Sequence, residues 1–259
     1  MLHTINLTTN IMARHTPNKN PRLLFNFLHD IVSLYKKNII RGVIMAQKFK
    51  VEDPKIPARL SSVNFQDIYY EEDPFLSNSL IENIGLEGEE IDQLVISKVM
   101  FKNVSFTGAS FPRIDMTDVV FENCDLSNAN FSEGIIHRVI FKECKLLGVN
   151  FTGAHLGNVR FEECLANMSD FVETRLKQVT FNETFLQNAN YSDCELLKVN
   201  FNQCDLNDID FTQTDLKGID ISTCKFTRIN VALENLSGCE ISPEQAIGFA
   251  SLLGLKVKE

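Results

Sequence analysis

Every fifth residue from Ile96 to Leu236 is apolar, without one phase slip. The run reads Ile96, Phe101, Phe106, Phe111, Met116, Phe121, Leu126, Phe131 and so on to Phe226, Val231 and Leu236; of 29 positions only Ala166 is small. At 44% apolar content, a chance run of this length has odds on the order of 10⁻¹⁰, so the period is a structural signal. It matches neither the helical repeat nor the twofold repeat of a flat strand. A second inward column lies two residues before each centre: Leu94, Val99, Val104, Ala109, Ile114, Val119, Cys124, Ala129. With the centre called i, positions i−2 and i point inward and i−1 outward, which is strand alternation. Positions i+1 and i+2 are polar or Gly, as in Thr107-Gly108, Ser127-Asn128 and Thr152-Gly153. They turn the chain. A short strand plus a corner, repeated, predicts an all-β solenoid.

Four units close one turn. Centres sorted at a spacing of 20 give a Phe column (101, 121, 141, 161, 181, 201), a Leu-rich column (126, 146, 186, 206), a second Phe column (111, 131, 151, 171, then Tyr191 and Phe211) and a second Leu/Ile column (96, 136, 156, 176, 196, 216, 236). Residue n therefore sits under residue n+20. Coils about 4.8 Å apart suit strand pairing and offset stacking of Phe rings. Just over seven coils, counted from 94, give a rod of roughly 35 Å.

Segments such as Ala129-Asn130-Phe131-Ser132, Cys124-Asp125-Leu126-Ser127-Asn128, Ala189-Asn190-Tyr191-Ser192 and Cys204-Asp205-Leu206-Asn207 resemble the A(D/N)LXX pattern of pentapeptide-repeat proteins. The resemblance implies a right-handed quadrilateral parallel β-helix with a short C-terminal helix. In that family, quinolone-resistance proteins of the Qnr and MfpA type, and related immunity proteins, mimic B-DNA and bind DNA gyrase or topoisomerase IV. The tail from Ile241 to Val257 resembles the helix through which such proteins dimerise head to head. The repeats here run without interruption, as in the MfpA type, whereas Qnr-type proteins carry loops needed for drug protection.

Charge changes the picture from fold to partner. The net charge is −9, unevenly placed: +5 over 1–44, −6 over 45–90, −8 over 91–241, neutral beyond. An acidic rod argues against direct nucleic-acid binding, which needs a basic footprint. It fits a partner with a basic groove, or simple solubility. A ~35 Å duplex carries roughly 20 charges, so mimicry by the repeats is partial. From 94 to 238 the two Phe faces sum to −3 and −4, and the two Leu faces to 0 and +1. Asp115, Asp118, Glu162, Glu163, Asp170 and Glu173 represent the acidic surface as candidate partner contacts. Outward apolar residues are the other signal. Leu147, Leu165, Met168 and Phe185 share the neutral face over three consecutive coils, with Ile140 and Leu197 on adjacent faces.

All seven cysteines (124, 144, 164, 194, 204, 224, 239) occupy the inward i−2 column. They read as small buried residues in a reducing cytoplasm. No CxxC pair or histidine ligand spacing points to a metal, and no phosphate-binding Gly loop is present. An enzyme needs convergent groups in a concave site; an apolar interior and a convex exterior point to a non-enzymatic binding protein without cofactor. His137 and His155 face outward with no evident nucleophile. A generic protein-interaction scaffold is the alternative to a topoisomerase modulator.

The flanks divide as follows. Residues 1–44 are basic and read as a non-native or disordered extension, Met45 being a plausible start; Asn20 to Ile40 could otherwise form an amphipathic helix. No apolar run is long enough to span a membrane. Residues 45–90 are an acidic lead-in and N-terminal cap, with loose fivefold phase at Leu76, Ile81, Leu86 and Ile91 and an inward Glu89. Repeats fill 91–241. Ser242-Pro243-Glu244-Gln245 starts a helix within a capping and dimerisation tail, 242–259. Its stripe of Ala246, Phe249, Ala250 and Leu253 is the candidate homodimer contact.

Overall fold

The structure, a computed structural model, describes residues 49–70 and 74–252. The expected extension over 1–44, and Leu253 of the tail stripe, lie outside them. The described chain is a parallel β-solenoid of about eight turns with one short C-terminal helix. The strands are β1 (Ser61–Ser62), β2 (Phe75–Ser77), β3 (Ser79–Glu82), β4 (Val95–Lys102), β5 (Asp115–Glu122), β6 (Ile135–Lys142), β7 (His155–Glu162), β8 (Arg175–Asn182), β9 (Glu195–Asn202), β10 (Ile209–Asp210) and β11 (Ile229–Asn230). From β4 to β9 the pairing is parallel at a constant offset of 20: Ile96 lies on Met116, Met116 on Ile136, Phe121 on Phe141. The other faces hold the same offset through single bridges, such as Ser105 with Asp125 and Leu165 with Phe185.

The corners are made at position i+2. Among the described residues twenty-four other than Gly have positive φ, among them Asn128, Glu133, Glu163, Met168 and Glu173, and Gly108, Gly148, Gly153 and Gly218 occupy the same place. Left-handed backbone there turns the chain sharply from one face to the next. Many corners close with the fourth residue donating to the first, as Ala109 N to Phe106 O (2.9 Å) and Ala154 N to Phe151 O (2.9 Å); positive φ at the third residue of such a turn is the type II geometry. Asn and Asp at i−1 support it. Asn130, Asn150, Asp170, Asn190 and Asp210 each accept from the N–H two residues on, at 2.8–3.1 Å.

Inside, Phe101, Phe121, Phe141, Phe161, Phe181 and Phe201 form one column with centroids 4.6–5.0 Å apart and planes within 14°. The opposite Phe column meets it edge to face, as Phe151 with Phe161 at 6.2 Å and Phe171 with Phe181 at 6.0 Å. The two columns together fill the centre of the coil.

The cysteines pack as small side chains and also serve as donors. Cys144, Cys164, Cys204 and Cys224 each direct Sγ–H at the carbonyl of the Phe 23 residues back, at 3.3–3.5 Å. Thr174 and Thr184 do the same with Oγ1, and Thr214 donates likewise to the Tyr191 carbonyl. Small side chains that can also donate thus recur at i−2 in the column from Cys124 to Cys224 and at Thr174, Cys194 and Thr214, whereas the column from Val99 to Val199 is Val throughout. Among the described residues all seven thiols are free. Burial pushes the Cys164 and Cys194 thiols up to about 12.

Each end of the core has its own cover. A 3-10 helix, Phe65–Tyr70, buries Phe65 against Phe106 and Phe111, with ring centroids at 6.5 Å. The inward Glu89 is half-buried and accepts hydrogen bonds from Gln66 Nε2 (2.8 Å) and the Tyr69 hydroxyl. A carboxylate that breaks the repeat is thereby satisfied by the plug. At the other end α1 (Pro243–Leu252) begins with a reciprocal cap: Gln245 N donates to Ser242 Oγ and Ser242 N to Gln245 Oε1. Gln245 Nε2 donates to the carbonyls of Ile221 and Cys224, and Phe249 stands 5.9 Å from Phe226.

The lead-in does more than cover an end. Residues 50–55 run outside the coil, along its axis, across the corner formed by positions 118, 138, 158 and 178. Lys55 N donates to Asp118 Oδ1 (2.9 Å), Glu52 N to Asn158 Oδ1 (3.0 Å), and Gln178 Nε2 to Lys50 O (2.9 Å). Gln178 and Asp118 are three coils apart, ~14 Å, and five extended residues reach ~16 Å. The match of these lengths is why one short segment spans four coils.

Candidate partner-binding surface

Three features of the outer surface are built by the repeat. The first is acidic. Side chains at i+2 leave the corner outward, and Glu133, Glu163 and Glu173 there are exposed or half-exposed, as are Glu143, Glu183 and Asp193. Acids at i−1 behave differently: Asp125, Asp170, Asp205 and Asp210 accept turn N–H groups. The acidic stripes therefore contain two populations, one turned to solvent and one closing corners. Glu162 is half-buried beside Arg160 (3.0 Å), and Asp115 is half-buried in β5.

Asp118 does not belong to either stripe. It is 3% exposed, with Arg138 gripping both its oxygens at 2.6 and 3.0 Å. The Arg138 hydrogen bond, against the opposing effect of burial and with help from Lys55 N–H, holds its carboxyl below the usual range. As a contact offered to a partner it is a misreading: the charge is matched within the chain.

The second feature is apolar. Leu165 and Phe185 are paired across adjacent coils and 44% and 46% exposed, with Met168 at 61%. Leu147 is half-buried one coil before. The structure thus brings Leu165 and Phe185 into adjacent coils. Ile140 is half-buried near the strap corner.

The third feature is a shallow groove of about 410 Å³ on the face of β6 to β9, lined by Ile135, His137, His155, Gly157, Arg175, Lys177 and Leu197 among others. Gly157 opens it, since a Cβ there would stand 3.1 Å from His137 Nδ1. Ile135, 55% exposed, is absent from the sequence reading; its signal was the apolar pair Ile135-Ile136 with one member at an outward position. The tail stripe divides as well: Ala246 is exposed, Ala250 is half-buried, and Phe249 packs against the chain's own core.

Among the described residues no group of three His, Cys, Asp or Glu side chains could hold a metal ion. None of their helices is long and apolar enough to cross a membrane.

Residues 114–191 and 134–211 match the family described as "Pentapeptide repeat region". The chain is similar to the solved structure of full-length QnrB1, described as a plasmid-mediated fluoroquinolone resistance protein, at 20% identity over 68% of this chain and 100% of that one, with a TM-score of 0.40. A pentapeptide repeat protein from the Arabidopsis thaliana thylakoid lumen is 20% identical over 36% of this chain and 65% of its own, with a TM-score of 0.34. HetL of Nostoc sp. strain PCC 7120, described as involved in heterocyst differentiation regulation, is 16% identical over 70% and 91%, with a TM-score of 0.24. No curated protein sequence matches the chain. The fivefold sequence match and the fourfold coil with its 20-residue register mark residues 114–211 as a pentapeptide-repeat region.

Proposed function

We propose that the chain is a non-enzymatic binding protein that mimics DNA in part and modulates or protects DNA gyrase or topoisomerase IV. The observation that carries this reading is the outward row of i+2 acids. Glu143, Glu163 and Glu183 repeat once per coil, about 4.8 Å apart. A regular acidic edge is what a basic DNA groove recognises. Glu133, Glu173 and Asp193 form the opposite row, with Gly153 in the intervening coil. Leu165, Met168 and Phe185 lie between the rows and supply the apolar anchor that interface hot spots need. The exposed Ala246 and Ile247 of α1 offer the homodimer contact. The cytoplasm, where topoisomerases work, is the proposed site of action.

The test is a supercoiling assay with the purified full chain, gyrase and topoisomerase IV, with and without quinolone. Altered supercoiling or relief of quinolone poisoning at micromolar concentration is expected. Glu163→Lys with Glu183→Lys should abolish it, and Leu165→Ser with Phe185→Ser should weaken it, all with unchanged circular dichroism. No effect of the wild-type chain on either enzyme would leave a scaffold for another partner as the surviving function.

A further inference from the structure

Residues 50–55 sit on a track that has the features of a peptide-binding site. The i+2 column at this corner reads Lys98, Asp118, Arg138, Asn158, Gln178, Lys198. Lysine stands at both ends, and under the segment stand acceptors and donors for main chain. Asp118 and Asn158 are buried, although other i+2 side chains of the coil, such as Glu163 and Met168, are exposed. Asp118 is oriented by Arg138, and Asn158 by Gln178 Nε2 at 3.3 Å. Thr180, at an outward position, is also buried, as is Val51 of the segment. Arg160 Nη1 pairs with Asp53 at 2.6 Å. Main chain is read by Asp118, Asn158 and Gln178, and one acidic side chain by Arg160. Recognition of extended peptides commonly divides in this way, with bonds to the peptide main chain for affinity and side-chain sites for specificity; here the coil's side chains, not a strand edge, supply the main-chain bonds.

The hold on the segment is also local. It consists of three main-chain hydrogen bonds, one ion pair whose Asp53 side chain is 70% exposed, and one buried Val. Ordering six residues opposes it. The coil beneath is closed by its own ladder and core, so release of the segment leaves the solenoid intact.

We propose that the corner formed by Asp118, Asn158, Arg160 and Gln178 is a docking track for an extended peptide with an acidic side chain in register with Arg160, and that residues 50–55 occupy it as a tethered, displaceable ligand. A partner segment of that chemistry competes with the chain's own strap. This goes beyond the topoisomerase reading and does not depend on it.

The test uses the full chain and a fluorescein-labelled synthetic peptide with the sequence of residues 49–57. The double variant Glu52→Pro, Lys55→Pro removes both strap N–H donors while leaving the coil untouched. Hydrogen exchange should show the strap amides protected in the wild type and open in the variant. Fluorescence anisotropy should then show the peptide binding the variant at least tenfold more tightly than the wild type. Adding Asn158→Leu, or using a peptide with Asp53→Lys, should remove most of that binding. Excess unlabelled peptide should raise strap exchange in the wild type. A variant with an open strap and a folded coil that binds no peptide at 100-fold excess would overturn the proposal. So would a variant whose strap stays protected, because the track would then not hold it by these bonds.

Discussion

Replacing Tyr191 with Phe should stabilise the chain. Tyr191 continues the second Phe column, stacked 4.5 Å from Phe171 and edge-on to Phe181 and Phe201 at 6.0 Å. It is fully buried, and its hydroxyl has no hydrogen-bond partner among the described residues. Phe keeps the ring and every stacking contact and removes only the oxygen. An unpaired buried hydroxyl costs about 1–3 kcal/mol in proteins, so the variant should gain about 1–2 kcal/mol. Burial also pushes the Tyr191 pKa well above 10. Its folded value exceeds its unfolded one, so the Tyr contribution is intact below pH 10 and declines as pH rises beyond it. The advantage of Phe should therefore widen above pH 10. The assay is urea unfolding of both full chains by circular dichroism, at pH 7.5 and pH 10.5, with equal slopes required for comparison. Equal or lower stability of the Phe variant at pH 7.5 would refute the idea that this hydroxyl is unsatisfied.

Three further outcomes follow from the same geometry. Cys204→Thr should lie within about 1 kcal/mol of wild type in urea unfolding, because Thr repeats the bond to the Phe181 carbonyl; Cys204→Val, of the same shape, should be lower by about 1 kcal/mol for want of a donor. Stability should fall between pH 9 and pH 12: the Cys164 and Cys194 thiols ionise near 9 unfolded and at about 12 folded, so the term is whole below pH 9 and lost above, and a flat profile from pH 8.5 to 11 would contradict it. Met168→Val should cost about 1–2 kcal/mol, since a β-branched side chain is forced into positive φ, whereas Met168→Gly should cost less than Met168→Val; thermal melts of the two variants decide the order.

The core was the legible part. A strict period of five with inward Phe at steps of 20 leaves few folds open, and the stacked rings stand where that period puts them. The corners were half legible: polar or Gly residues mark them, but only backbone angles separate i+1 from i+2. That separation matters for function. It divides Glu163 and Glu173, which face out, from Asp170 and Asp210, whose oxygens close turns; composition by face counts them alike. The strap was not legible. Its contacts run from main-chain N–H groups of Glu52 and Lys55 to side chains more than 60 residues away, and main-chain donors leave no trace in a sequence. The trace lay on the receptor side, in the Asp-Arg-Asn-Gln column between two lysines. Asp118 was misplaced for the same reason, since an i+2 acid is outward by rule and is buried here between Arg138 and the segment that crosses it. Glu89, in contrast, broke the pattern visibly, and the plug residues Gln66 and Tyr69 explain the break.

The most direct test of the acidic coil as a DNA surrogate is a competition experiment. Labelled full chain is bound to gyrase, and linear DNA is titrated in at fixed salt while anisotropy is followed. Full displacement by DNA, with an affinity that falls steeply as salt rises and is lost in the Glu163→Lys, Glu183→Lys variant, is the predicted result. Binding that persists at saturating DNA, or no binding at micromolar concentration, would contradict the claim that this surface takes the place of DNA.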